Sequence, residues 1–121
     1  MRAAAATLLL LACCVAHAQP AAPPCGTIEQ CDAAVRTTPS LAAYEQRGYL
    51  HLMQRRGLDD LEKSIADFSA ALRFDASRPF SLYGRGMARL FSGDAAGQNE
   101  MEAAIMMQQN IAEEFKAHGA K

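Results

Sequence analysis

Cysteine and histidine are the side chains that most readily carry chemistry in this 121-residue sequence, which has four of the first and three of the second. Cys25 and Cys31 are separated by five residues. This does not match the two-residue spacing of a C-x-x-C redox pair or of a zinc knuckle. In an exported protein an even pair of cysteines usually forms a structural bridge. We therefore predict a Cys25–Cys31 disulfide, with a thiol-responsive pair as the alternative.

The histidines and the acidic residues show no arrangement typical of a catalytic or metal centre. His51 and His118 are far apart in the sequence and have no companion ligands at a suitable spacing. Asp59 and Asp60 fit the start of a helix, where carboxylates complement the helix dipole, better than an acid pair. No nucleophile elbow, phosphate-binding loop or zinc-protease motif occurs. The sequence thus predicts no enzyme activity, no cofactor and no metal.

The charge and the aromatic content argue against nucleic acid as a partner. The formal net charge is −1 and the isoelectric point is near 6.3, so the chain lacks the excess of positive charge that binds phosphates. Aromatic residues make up 7% of the chain and tryptophan is absent, so a base-stacking surface is not indicated. The composition is that of one small globular domain.

Residues 1–18 have the organisation of a secretory signal peptide. Arg2 supplies the positive charge, an apolar run extends to Val15, and Ala16-His17-Ala18 forms a small-residue cleavage site. The apolar run is too short to span a bilayer, which needs about 20 residues. We therefore predict export to the periplasm or secretion, with residues 19–26 as a Pro-rich leader before the folded domain.

A second interpretation of the same segment leaves the protein attached to a membrane. Leu10-Leu11-Ala12-Cys13 resembles a bacterial lipobox, in which the cysteine is lipidated and becomes the new first residue. The protein would then be an envelope assembly factor tethered through Cys13, and only in this case would a membrane be a partner. Retention as an uncleaved anchor is a third option.

The remaining chain predicts helices joined by short connections, because apolar residues recur at three- and four-residue spacing without strand-like alternation. The predicted helices cover residues 27–37, 40–55, 60–74, 79–91, 95–107 and 110–119. The clearest amphipathic pattern belongs to the third of them, with Phe68 as its large central residue. Its apolar stripe is Leu58, Leu61, Ile65, Phe68 and Leu72.

An internal repeat organises these helices. Ala43–Leu50 (AYEQRGYL) is echoed 38 residues later by Ser81–Ala88 (SLYGRGMA). Self-similarity at a period of 20–50 residues is typical of stacked-repeat proteins. Each copy contains an Arg-Gly pair, and we expect both arginines to remain within the repeats and to pair with acids such as Glu45 or Asp75.

On these features the chain resembles the tetratricopeptide repeat family, whose 34-residue unit is a helical hairpin. The matching positions are Tyr44 and Leu82 at the bulky fourth position, Gly48 and Gly86 at the small eighth position, and Phe68 and Ala71 in the second helix. The resemblance implies an all-α fold of antiparallel hairpins in a short solenoid. Within a domain of residues 27–119, the repeats are 41–78 and 79–109, and 110–119 is a closing helix.

The sequence departs from the family pattern at two places. The 38-residue period exceeds the unit by four, which predicts an insertion around Arg55–Leu58. Gly97 stands where a small helix-forming residue is expected, so the last repeat is predicted to be weak.

The resemblance also implies a function, namely a protein–protein interaction scaffold that binds an apolar peptide or helix in its concave groove. The first helix of each hairpin lines that groove in the family. The residues predicted to bind are Glu45, Tyr49, Met53, Tyr83 and Met87. In its best-known binding mode, the family holds a C-terminal carboxylate with Lys, Arg and Asn. This chain has none of these residues on the predicted groove side. The partner is a protein or peptide of unknown identity, and self-association through the repeat ends is a further option.

Overall fold

The computed structural model describes residues 24–120, and this part of the chain is all-helical, as predicted. The six helices are α1 (Ile28–Thr37), α2 (Leu41–Gln54), α3 (Leu58–Phe74), α4 (Pro79–Phe91), α5 (Ala96–Met107) and α6 (Ile111–His118). The predicted signal peptide, the lipobox and Cys13 lie outside the described residues. Within residues 24–120, no helix combines the length and the apolar character needed to cross a bilayer.

Three helices, α1, α2 and α4, begin at the capping or proline residues that the sequence indicates, whereas α5 and α6 begin without a side-chain cap. The Thr27 hydroxyl accepts a hydrogen bond from the backbone N–H of Gln30, and the Ser40 hydroxyl accepts one from Ala43. Pro79 is the first residue of α4, where its missing N–H costs no hydrogen bond.

The start of α3 differs from the prediction, because this helix begins two residues earlier. Asp59 does not cap the helix. Asp60 instead accepts a hydrogen bond from the backbone N–H of Arg56, at 2.8 Å, and thereby closes the turn before the helix. The side chain of Leu58 is 62% exposed, so its assignment to the apolar stripe was wrong. The rest of the stripe is buried or half-buried.

Two antiparallel hairpins form the centre of the molecule, α2 with α3 and α4 with α5. In the first, Ser64 donates a hydrogen bond to the backbone oxygen of Gly48, while Asp60 lies beside the end of α2. The contacts of the second hairpin are also antiparallel, since Arg85 pairs with Glu100 and the later Arg89 pairs with the earlier Asp94. α3 packs on α4, so the hairpins stand side by side, and α1 packs on α2.

Each hairpin is held by an arginine that forms two hydrogen bonds to one carboxylate. Arg47 donates from Nε and Nη2 to Asp67, at 3.0 and 2.7 Å. Arg85 donates from Nε and Nη2 to Glu100, at 3.0 and 2.8 Å. Such charge-assisted, two-point contacts fix orientation as well as distance. Arg47 and Arg85 do remain within the hairpins, as predicted. The predicted partners Glu45 and Asp75 were wrong, because each arginine side chain reaches across to the facing helix.

The glycine that follows each arginine lets the paired helices come close. A Cβ on Gly48 would lie 3.1 Å from Cβ of Asp67, and a Cβ on Gly86 would lie 2.6 Å from the backbone oxygen of Gly97. Gly97 faces Gly86 from α5 and has equally little room. Gly97, at which the sequence predicted a weak last repeat, is therefore the point of contact between α4 and α5.

Phe68 joins the two hairpins. Its side chain is completely buried, and its ring lies against Gly48 on one side and Gly84 on the other. A Cβ on Gly84 would lie within 2.6 Å of a ring carbon of Phe68. The close packing of the hairpins thus requires glycine at a position that the repeat pattern did not single out.

The extra residues of the first repeat form additional helix. The residues that pair in the first hairpin, Arg47 and Asp67, are 20 apart in sequence, and Arg85 and Glu100 in the second are 15 apart. The difference of five equals the difference in length between α3, with 17 residues, and α5, with 12. The insertion predicted around Arg55–Leu58 is therefore accommodated largely in the first turn of α3.

The predicted disulfide is confirmed, since the sulfur atoms of Cys25 and Cys31 are bonded at 2.01 Å. Both side chains are buried, and Cys31 is the buried residue of α1. The bridge ties the segment before α1 to its first turns.

Phe68→Ala should lower the free energy of unfolding by about 3–5 kcal/mol, because it leaves a cavity where three helices meet. Phe74→Ala on the same helix is the matched control. That side chain is 56% exposed, so its loss should cost less than about 1 kcal/mol. Denaturant unfolding measures both values, and equal losses would contradict the central position of Phe68.

Gly97→Ala should lower the free energy of unfolding by about 1–3 kcal/mol, because the new methyl group would press on the backbone of α4. Helix propensity alone predicts the opposite, a gain of roughly 1 kcal/mol. Asn99→Ala, at an exposed position of α5, tests propensity without that contact and should be neutral or slightly stabilising. Stabilisation by both substitutions would show that α4 and α5 are farther apart than described.

Candidate functional site

The closing helix α6 lies over the surface on which the sequence predicted a groove. Phe115 is 2% exposed, and its ring centroid lies 4.6 Å from that of Phe80, 5.3 Å from that of Tyr49 and 5.4 Å from that of Tyr83. These distances are typical of packed aromatic pairs. Phe115 is thus inserted among rings of α2 and α4, and with the buried Ile111 it anchors α6 in the core.

The end of α6 is attached to α2 by polar contacts as well. The hydroxyl of Tyr49 lies against the backbone of Gly119, and burial raises the pKa of that hydroxyl above its usual value. His118 Nε2 lies 2.7 Å from Oε1 of Gln46, and its ring stacks edge-on against Tyr49 at 4.5 Å. Tyr49 thus contacts α6 through both its ring and its hydroxyl.

One side of α6 borders what we call the apolar groove, a depression of about 460 Å³ between α6 and the two first helices of the hairpins. Its lining residues are Tyr49, Met53, Arg55, Tyr83, Met87, Ala112, Phe115 and Lys116. Large apolar groups form most of this surface, and methionine adapts its shape to different ligands.

The other side of α6 borders what we call the polar groove, of about 310 Å³. Its lining residues are Glu45, Arg78, Phe80, Glu114, Ala117 and His118. Glu45 accepts hydrogen bonds from Nε and Nη2 of Arg78, at 3.0 and 2.9 Å, and from the hydroxyl of Ser81. The carboxylate raises the pKa of the Arg78 guanidinium in turn. These charges neutralise each other within the fold.

The five residues predicted to bind a partner fall into two groups. Met53 is 44% exposed and lines the apolar groove with the half-buried Tyr83 and Met87. Glu45 and Tyr49 are buried, at 8% and 5% exposure. Glu45 fastens α4 to α2 and Tyr49 fastens α6 to α2, so we assign structural roles to both.

Sequence reasoning missed two cations in the apolar groove, Arg55 and Lys116. The guanidinium of Arg55 lies over the ring of Phe91, 4.3 Å from its centroid. Arg55 follows the last residue of α2 and Lys116 lies on α6, so neither belongs to the stripe that the repeat pattern identified. The only sequence feature that could have indicated a cation in this groove was the position of Lys116 directly after Phe115.

A separate cluster surrounds His51, for which the sequence showed no companion ligands at a suitable spacing. In the fold, its Nδ1 lies 3.8 Å from Oδ1 of Asp60, and its Nε2 lies 4.0 Å from Oδ2 of Asp67. Asp67 is neutralised by Arg47, and the N–H of Arg56 lowers the pKa of Asp60. Within residues 24–120, no group of three or more His, Cys, Asp or Glu is arranged to hold a metal ion.

Comparisons with protein-family models, with curated proteins and with solved structures gave no match to this chain. The two grooves beside α6 and the charges around them are therefore the features from which a function can be inferred.

Tyr49→Ala should destabilise the protein by roughly 3 kcal/mol or more, because it removes the ring and the hydroxyl that hold α6. Met53→Ala, one turn later on α2, should change the free energy of unfolding by less than about 1 kcal/mol, because that residue lies at the surface and is 44% exposed. Denaturant unfolding measures stability, and amide exchange of α6 reports its attachment. Unchanged exchange in the Tyr49 variant would mean that Phe115 and Ile111 hold α6 without Tyr49.

Proposed function

We propose that the protein is a non-catalytic protein–protein interaction module that binds an apolar segment of another protein in the apolar groove. The observation that carries this proposal is an accessible surface of Met53, Tyr83 and Met87 beside Phe115. Aromatic and methionine side chains supply much contact area at low entropic cost and suit an apolar peptide or helix.

We further propose that the two hairpins are tetratricopeptide-type repeats stacked as a short solenoid and closed by α6. The support is that both hairpins are built alike, with an Arg-Gly pair whose arginine bonds a carboxylate of the facing helix and whose glycine allows close packing. In this arrangement a partner binds beside α6, because α6 itself covers the centre of the concave side.

The state of the charged residues also favours a scaffold over an enzyme. Glu45, Asp67 and Glu100 are each bonded to an arginine, so they serve to hold helices together. General acids and bases need free groups within reach of a substrate. The apolar groove is lined by cations and apolar groups, with no acid among its lining residues in the described chain.

Export to the periplasm or secretion remains the proposed location, with tethering through a lipidated Cys13 as the alternative. Intact mass separates the two, since the mature chain either starts at Gln19 or carries a diacyl group on Cys13. The thiol-responsive alternative is less well supported, because Cys25 and Cys31 are 4% and 0% exposed and thiol exchange needs access to a sulfur.

Photo-crosslinking in native cells tests the proposed function. A photoreactive amino acid at position 53 should give a discrete crosslinked product, whereas the same group at position 62, exposed on α3, should not. Tyr83→Ala combined with Met87→Ala should abolish the product while circular dichroism remains helical, because truncation of such anchors costs about 2 kcal/mol or more in binding. Equal products from both positions would contradict the proposal.

A further inference from the structure

The two cations of the apolar groove have no carboxylate partner, unlike the three arginines that join the helices of the hairpins to one another. Arg47, Arg78 and Arg85 each bond an acid at 3.0 Å or less. No acid among residues 24–120 forms an ion pair with Arg55 or with Lys116. The groove therefore presents positive charge that the fold leaves available.

Two contacts orient the side chain of Arg55, although its charge is not neutralised. Its guanidinium is held over the ring of Phe91, and Nη1 lies 3.5 Å from the backbone oxygen of Leu52. A guanidinium stacked on an aromatic ring keeps donors free for a carboxylate and loses little further entropy when it binds one. Lys116 projects from α6 and lines the same groove. Cations from two different elements thus border one apolar floor.

We propose that the apolar groove binds a partner protein segment that combines large apolar side chains with Asp or Glu. This inference rests on the proposed function and specifies the chemistry of the partner. Apolar side chains would pack on Met53, Tyr83 and Met87, and the acidic group would pair with Arg55 and Lys116. Complementary charge contributes specificity and a faster association rate more than raw affinity.

A fatty acid also combines an apolar chain with a carboxylate, but the groove suits it poorly. Met53 is 44% exposed and Phe91 is 49% exposed. An acyl chain lying there would remain largely in contact with water, whereas small-molecule sites bury most of the ligand surface. A protein segment needs only one of its faces to be covered.

Peptide selection tests the chemistry directly. Phage-displayed random peptides of about 12 residues are selected in parallel on the wild-type protein and on the R55E/K116E variant. The wild type should enrich peptides that carry large apolar residues together with Asp or Glu. The R55E/K116E variant should enrich peptides in which Lys or Arg replaces the acid.

A synthetic fluorescent peptide from the wild-type selection then gives the affinities by anisotropy. R55E/K116E should weaken its binding about tenfold, since two partly exposed ion pairs become repulsive contacts. R36E/R73E changes the net charge equally at exposed positions outside the groove and should leave the affinity within about twofold. The preference for the acidic peptide should also fall as salt rises from about 0.05 to about 0.5 M.

The outcomes separate this inference from the proposed function. Selected peptides without an excess of Asp and Glu, or an equal loss of affinity in R55E/K116E and R36E/R73E, would overturn the acidic preference. If the peptides selected on the wild type still lost binding with Tyr83→Ala and Met87→Ala, the apolar groove would remain supported as a binding site. A wild type that enriched no peptide, or that bound sodium oleate at low micromolar concentration in preference to every selected peptide, would overturn both.

Discussion

Each hairpin depends on two helix backbones coming so close that one of them has no room for a side chain. Gly48 of α2 lies against Asp67 and Phe68 of α3, and Gly86 of α4 faces Gly97 of α5. This contact brings the arginine before each glycine beside an acid of the facing helix, where two parallel hydrogen bonds form. The glycines set the distance between the helices, and the arginines fix the register along them.

Features that depend on residues near one another in the chain could be derived from the sequence. Side-chain caps or a proline mark the starts of α1, α2 and α4, and the disulfide joins cysteines six apart. Contacts between helices could not be derived in this way. Arg47 bonds Asp67, 20 residues away, although Glu45 is nearby, because the direction of each side chain depends on which helix faces it. The same limit hid the carboxylates around His51.

The candidate site was predicted as a stripe on two helices, and the part of it that remains accessible depends on a third. Glu45 and Tyr49 lie on the same stripe as Met53, but Ser81 and α6 cover them. A periodic pattern identifies a face without showing what packs on it. The cations of the groove, Arg55 and Lys116, come from the end of α2 and from α6, where the repeat pattern carried no information.

The position of α6 has a consequence for the order in which the protein folds. Because α6 follows both hairpins in the chain, it is synthesised after them. Until Phe115 arrives, the rings of Tyr49, Phe80 and Tyr83 have no cover from α6. During that interval the nascent protein exposes an apolar aromatic surface. Surface of this kind promotes aggregation and is recognised by chaperones. The docking of α6 therefore covers this aggregation-prone surface and forms the apolar groove in the same step.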